Sequence, residues 1–330
     1  MPDVLCLGEA LIDWVSPERG ATLATASSFI RAPGGAPANV AVGLARQGVA
    51  TGFLGRISAD PWGSLLLDTL RVAQVETSEV LREASAPTRM AYILLDDAGE
   101  RHLAAFSQGN CADAQLKHAD LRPEQFDDVS VLYVSSLMQA HGSSAEAQER
   151  AVGLAQEEGA IVFYDPNYRP VMWENPSRAR EAIAAMAEKA DVLKLGVEDL
   201  ELLMGETDLE KGARLAQERF LPALLVVTDG PNGCFYVRDA DEGHIPSPSV
   251  EAIDPTGAGD AFVAGLLAGL LPFLKGQDPR EAIANLESDR LQTLIQRANS
   301  MGALVATRTG AMTALPTTLE LEAWLERSVV

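Results

Sequence analysis

Long apolar runs are scarce in this 330-residue sequence. The longest, Ala261 to Leu274, is too short to span a bilayer and is interrupted by Pro272, which excludes a transmembrane helix there. Positive charge is also scarce. With 26 Lys and Arg against 47 Asp and Glu, the net charge is −21, and a surface of that sign repels nucleic acid and anionic membranes. The three cysteines, Cys6, Cys111 and Cys234, lie far apart with no CxxC spacing. Cys6 and Cys234 fall in apolar, strand-like runs and read as small buried hydrophobes. The four histidines show no ligand spacing, so no zinc site is expected. The opening Met-Pro-Asp has no basic segment, which predicts no secretory signal and a cytoplasmic protein. There is no internal repeat, no low-complexity segment, no Walker A sequence and no GxGxxG. What remains, 47% apolar and 22% charged residues, is the composition of a soluble globular enzyme. The length suits one large α/β domain or two ordinary ones.

The stretch Asp254-Pro255-Thr256-Gly257-Ala258-Gly259-Asp260 precedes the strongest apolar helix pattern, Ala261 to Leu271. A helix begun by Gly-Ala-Gly leaves its first N–H groups bare, and those donors with the positive end of the dipole suit an anionic oxygen. Asp260 puts a carboxylate beside that site. A base that takes a proton from a hydroxyl while a phosphoryl group arrives accounts for both features. An isolated Gly-X-Gly-Asp reads as a capped glycine loop; with Asp254, Pro255 and Thr256 attached, the functional reading is preferred.

Elsewhere the pattern is that of an α/β chain. Val4 to Gly8 reads as a buried parallel strand, followed by Asp13, which is either an acceptor for substrate hydroxyls or an exposed loop acid. Gly34-Gly35 precedes an Ala-rich helix to about Gln47, with Asn39 one turn in. That group fits either close approach of a ligand or a tight turn with a helix cap. Thr51 to Gly55 is a strand, and Asp60-Pro61 opens a helix to about Ala73. Residues 88–95 and 101–106 form a hairpin about the turn Asp96 to Glu100. Together with 15–32, residues 87–106 are expected to form a small sheet acting as a lid. Its exposed edges predict a homodimer joined through the lids. From Val129 the alternation is regular: strands at 131–135, 160–165, 191–195 and 224–228, with helices between, and a closing hairpin at Asn232-Gly233. Asp165 to Arg169 and Thr228 to Gly233 leave their strands polar, as ligand-binding strand ends do, although such ends are often mere turns.

With these motifs in view, the sequence resembles the ribokinase-like (PfkB) carbohydrate kinases over essentially its whole length. Gly34 to Ala41 (GGAPANVA) looks like the N-terminal signature of that family, and Asp254 to Phe262 (DPTGAGDAF) like its C-terminal one. The resemblance implies one domain with a mostly parallel central sheet and a small β-sheet lid, using ATP and Mg²⁺. It makes Asp260 the base and Gly257, Ala258 and Gly259 the anion hole. Asp13, Gly34, Gly35 and Asn39 match sugar-binding positions. Thr228, Gly230 and Gly233 match the nucleotide edge, with Asn299 beside the adenine. Asp254 and Thr256, with backbone oxygens around Thr307 to Gly310, match a monovalent-cation site that suits K⁺. One motif departs from the family: its NxxE, which organises magnesium through waters, is here Gly196 to Asp199, leaving Asp199 with Glu198 nearby. Within the family, GGAPANVA and DPNYRPxxW look most like bacterial fructokinases. A 2-keto-3-deoxygluconate kinase, an aminoimidazole riboside kinase and a non-catalytic regulator are the rival readings. Arg169 is the one basic group in these motifs. If it serves the phosphoryl group, the sugar pocket has no positive charge, which favours D-fructose over an acid sugar.

Overall fold

The computed structural model describes residues 2–99, 101–107 and 109–328. Glu100, the last residue of the expected hairpin turn, lies outside them. Strand β1 (Val4–Leu7) is apolar throughout because both of its faces are covered. The chain then leaves the main sheet for β2 (Leu11–Arg19) and β3 (Ile30–Gly34), and returns through helix α1 (Ala36–Arg46) to β4 (Thr51–Ser58). Helix α2 (Pro61–Val72) starts as its sequence dictates: Asp60 Oδ1 accepts from Gly63 N at 2.7 Å and Pro61 occupies the first turn. Next come β5 (Val80–Glu83), then the hairpin β6 (Met90–Leu95) and β7 (Arg101–Phe106). The regular half follows as β8 (Val131–Val134), α3 (Gly142–Glu157), β9 (Ile161–Tyr164), α4 (Pro176–Ala187), β10 (Val192–Gly196), α5 (Val197–Met204), α6 (Leu209–Phe220) and β11 (Leu224–Thr228). Strands β12 (Cys234–Arg238) and β13 (Asp241–Ile245) precede helices α7 (Ala258–Leu274), α8 (Pro279–Ala284), α9 (Ser288–Ala306) and α10 (Thr318–Ser328).

Among the described residues these strands form two sheets. The larger has nine strands in the order β13-β12-β11-β10-β9-β8-β1-β4-β5, parallel from β11 to β5 and antiparallel at β12 and β13. Its direction of growth reverses at β1, which pairs with β4 on one side and β8 on the other. Ligands of such sheets sit beyond the carboxyl ends of the strands at that reversal. The smaller sheet, β3-β2-β6-β7, is the lid. It begins earlier than the 15–32 expected, at Leu11, so Asp13 is a lid-strand residue and not a loop acid.

Two apolar layers cover the main sheet. One side packs on α1, α2, α7 and α9, the other on α3, α4, α5 and α6. Pro272 lies inside α7, two residues before its end; it cannot donate to the Ala268 carbonyl, but the helix runs on to Leu274. Helices α1, α7 and α9 meet through glycines. A Cβ on Gly43 would come within 2.7 Å of Ala264 Cβ, one on Gly265 within 3.1 Å of Ala298 Cα, and one on Gly302 within 3.0 Å of the Ala258 carbonyl. Among the described residues no helix is long and apolar enough to cross a membrane.

Candidate active site

The carboxyl ends of β1, β8, β9, β10 and β11 open into one cavity of about 600 Å³, with the start of α7 on one side and the lid over it. The helix start is built as its glycines suggest. Gly257 adopts φ 80°, left-handed backbone that favours glycine, and a Cβ there would stand 3.0 Å from Ala311 Cβ. No side chain caps the helix. Ala258 N donates to the Pro255 carbonyl at 3.0 Å, so that member of the expected anion hole is already engaged.

Asp260, in the first turn of α7, is buried and lines the cavity. Its Oδ2 accepts from Asn39 Nδ2 at 2.7 Å. Burial raises its pKa, while the Asn39 hydrogen bond, Lys194 and Arg169 pull it back. Asn39 Oδ1 is buried without a hydrogen-bond partner, an acceptor aimed at nothing in the protein. Asn39 is held by its own helix start: Glu9, at the end of β1, accepts from Ala36 N at 3.0 Å. The Gly34-Gly35 pair has a structural reason at each position. A Cβ on Gly35 would strike the Glu9 carbonyl at 2.6 Å, and one on Gly34 would strike Asp13 Oδ2 at 2.3 Å. The glycines therefore make room for protein, and for the Asp13 carboxylate in particular. Burial raises the Asp13 pKa to about 7, with Arg169 the largest opposing influence.

Several groups lining the cavity escaped the sequence reading. Lys194 on β10 pairs with Asp165 at 3.2 Å, both of them buried. Burial raises the Asp165 pKa to about 7 against the pull of Lys194. Arg101, on lid strand β7, reaches Asp254 Oδ2 at 2.9 Å and Thr256 Oγ1 at 3.3 Å. A lone lysine in an apolar parallel strand was a usable signal, because it is costly to bury without a partner. Nothing local marked Arg101 in its hairpin.

The metal assignments change accordingly. Asp254 Oδ1 accepts from Thr256 N at 3.0 Å, and Oδ2 accepts from Gly310 N at 2.6 Å and from Arg101. With a guanidinium already on both residues, Asp254 and Thr256 do not fit a monovalent-cation site in this arrangement. Asp199 is likewise occupied, its Oδ1 accepting from Tyr168 N at 2.9 Å and its Oδ2 from Gly196 N at 2.7 Å. Glu198 beside it is exposed on the cavity wall, and this carboxylate fits a hydrated divalent ion.

The nucleotide positions separate. Thr228 and Gly230 line the cavity, whereas Gly233 and Asn299 do not. Those two converge instead on the end of β13. A Cβ on Gly233 would come within 2.1 Å of the Ile245 carbonyl, and Asn299 Nδ2 donates to that same carbonyl at 3.0 Å.

Comparison with known proteins places these features in context. The family model described as pfkB family carbohydrate kinase matches residues 1–318. Fructokinase-1 of Oryza sativa subsp. japonica is 37% identical over 319 residues, covering 96% of each chain. Among solved structures, a fructokinase with bound ATP from Xylella fastidiosa is similar at TM-score 0.86 and 30% identity, over 100% of both chains. A fructokinase double mutant from Vibrio cholerae O395, bound to fructose, ADP and potassium ion, is similar at TM-score 0.84 and 31% identity, over 98% of both chains.

Proposed function

Because this chain belongs to the pfkB family of carbohydrate kinases, we propose that it transfers the γ-phosphoryl group of ATP to a primary hydroxyl of D-fructose. The observation that carries the reading is the buried Asp260 carboxylate, held by Asn39 at 2.7 Å in the first turn of an uncapped helix. The fructokinase relatives and the ATP- and fructose-bound neighbours support it.

In this mechanism Asp13 and the free Asn39 Oδ1 accept hydrogen bonds from sugar hydroxyls, which brings the reacting hydroxyl to Asp260. Asp260 takes the hydroxyl proton as the new O–P bond forms. The N–H groups of Gly257, Gly259 and Asp260, at the positive end of α7, hold the charge developing on the phosphoryl oxygens. Thr228 and Gly230 border the nucleotide, while Gly233 and Asn299 shape its edge from behind by fixing the end of β13. Glu198 would hold a divalent ion accompanying the nucleotide, which would supply charge neutralisation of the phosphates. The lid strands exclude water, which would otherwise compete as acceptor.

Sugar selection follows from charge. Arg169 lines the cavity, and its charge acts on both Asp13 and Asp260. A sugar carboxylate would compete with Asp13 and Asp260 for that one positive charge and face both of them, which is costly in a closed site. The expected kcat/KM for D-fructose exceeds that for 2-keto-3-deoxygluconate by at least about tenfold under identical conditions. A coupled ADP-release assay over both sugars, ribose and aminoimidazole riboside measures this, and a preference for the acid sugar would reassign Arg169 to its carboxylate.

The lid also supports a homodimer. Ile30 on edge strand β3 is 61% exposed and nearby Leu23 44%, apolar surface that a second lid would cover. Light scattering is expected to give about twice the 35.1 kDa chain mass at micromolar concentration. A monomer there would remove the lid-to-lid arrangement.

A further inference from the structure

Lys194 is the one buried lysine among the described residues, and it lies at the strand ends that floor the cavity. Alternation along β10 places it on the same sheet face as Val192, the side covered by α7. Its ammonium stands 3.7 Å from where a side chain on Gly259 would begin, so it borders the uncapped first turn of that helix. Among the described residues the only partners of Nζ are the two oxygens of Asp165, at 3.2 and 3.3 Å. An ammonium carries three donors, so with both Asp165 oxygens satisfied one N–H remains for the cavity. Three carboxylates, those of Asp165, Asp199 and Asp260, exert their charge on this lysine. Salt-bridge neutralisation of Asp165 alone would not require a position against the helix start.

We propose that Lys194 is a catalytic residue that donates to a non-bridging oxygen of the transferring phosphoryl group, completing an anion site otherwise built from backbone dipoles. The proposal rests on the phosphoryl-transfer reading above and extends it to a residue outside both signature motifs. In the step itself, the sugar hydroxyl oxygen bonds to the γ-phosphorus and its proton passes to an Asp260 oxygen. The bond from that phosphorus to the bridging oxygen breaks, and its electron pair leaves with ADP. Lys194 keeps its proton throughout and follows the phosphoryl oxygens as charge shifts across them. Its compact charge suits a group that moves between two oxygens in line, and Asp165 stops it from collapsing onto Asp260.

The test compares wild type with Lys194→Met and Lys194→Arg, using the best sugar found for the wild type. Steady-state turnover is measured together with affinity for ADP, with and without aluminium fluoride as a planar phosphoryl mimic in the presence of sugar. Lys194→Met is expected to lower kcat by at least about thirtyfold and to lose most of the aluminium fluoride enhancement, with ADP affinity alone changed less than about threefold. Lys194→Arg, which keeps the charge, is expected to recover part of both. Should Lys194→Met fail to fold, Lys194→Arg carries the test: an unchanged fluoride enhancement with an unchanged kcat overturns the assignment, since a guanidinium cannot occupy the ammonium's place without moving the donor. A Lys194→Met enzyme within about threefold of an active wild type, or one that keeps the full fluoride enhancement, overturns it also. A wild type that turns over no sugar overturns the kinase reading and the lysine's role with it.

Discussion

Asp260→Asn is expected to lower kcat by at least about a hundredfold while fold and ATP affinity stay close to wild type. The substitution preserves shape. Asn39 Nδ2 can still donate to the side-chain oxygen it now reaches at 2.7 Å. What disappears is the capacity to accept a proton. The wild-type pH profile is expected to carry the same signature, because burial raises the Asp260 pKa while Asn39, Lys194 and Arg169 restrain the rise. The base works only when ionised, so kcat/KM should fall on the acid side with a midpoint above the ordinary carboxylate range, and the residual activity of Asp260→Asn should lack that limb. A mutant that keeps more than about a tenth of wild-type turnover would remove Asp260 from the role of base.

The second large effect is on stability and lies under the lid. Arg89 is fully buried just before β6, and its Nε donates to Asp113 Oδ2 at 2.6 Å. Its Nη1 donates to the Ser107 carbonyl at 3.1 Å just beyond β7, and its own carbonyl accepts from Ile12 N at 3.1 Å on β2. One residue, through its guanidinium and its main-chain carbonyl, thus ties together three of the chain segments that enter or leave the lid. Asp113→Ala strands that charge in the interior, and the loss of one partner of a buried pair costs about 3–5 kcal/mol. Urea denaturation is expected to show a loss of that size, and a change below about 1 kcal/mol would mean that water or another acid had taken the place of Asp113.

Much of the scaffold was readable because burial leaves a plain trace. Strands β8, β9, β10 and β11 are covered on both faces and appear as short apolar runs separated by amphipathic helices. Asp60-Pro61 announced α2 through capping chemistry that acts within four residues. The two strands that went unread, β5 and β13, are the outermost of the large sheet, and their sequences, VLRE and DEGHI, are polar as edge strands are. In the site, Asp260, Asn39, Asp13 and Gly257 were visible in compact motifs, and the fold brings them around one cavity. Arg101 and Asp254 are 153 positions apart in the numbering, and only the folded lid makes them partners. No local pattern encodes such a pairing. Asn299 and Gly233 show the opposite case: residues matched to the nucleotide edge by resemblance, whose neighbours are strand ends rather than open cavity.

The glycine contact between α1 and α7 bears on redesign. Gly43 lies one helical turn beyond Asn39, and Ala264 one turn beyond Asp260, so the contact of Gly43 with Ala264 is the next rung of the same ladder. The spacing of Asp260 from Asn39 is therefore set by a pair of small residues that do not line the cavity. An added methyl at position 43 would splay the ladder one rung from Asn39 and Asp260. Anyone recutting this cavity for a bulkier acceptor has the lid strands and the polar strand ends to work with, while α1 and α7 serve as the fixed gauge against which every new shape must be fitted.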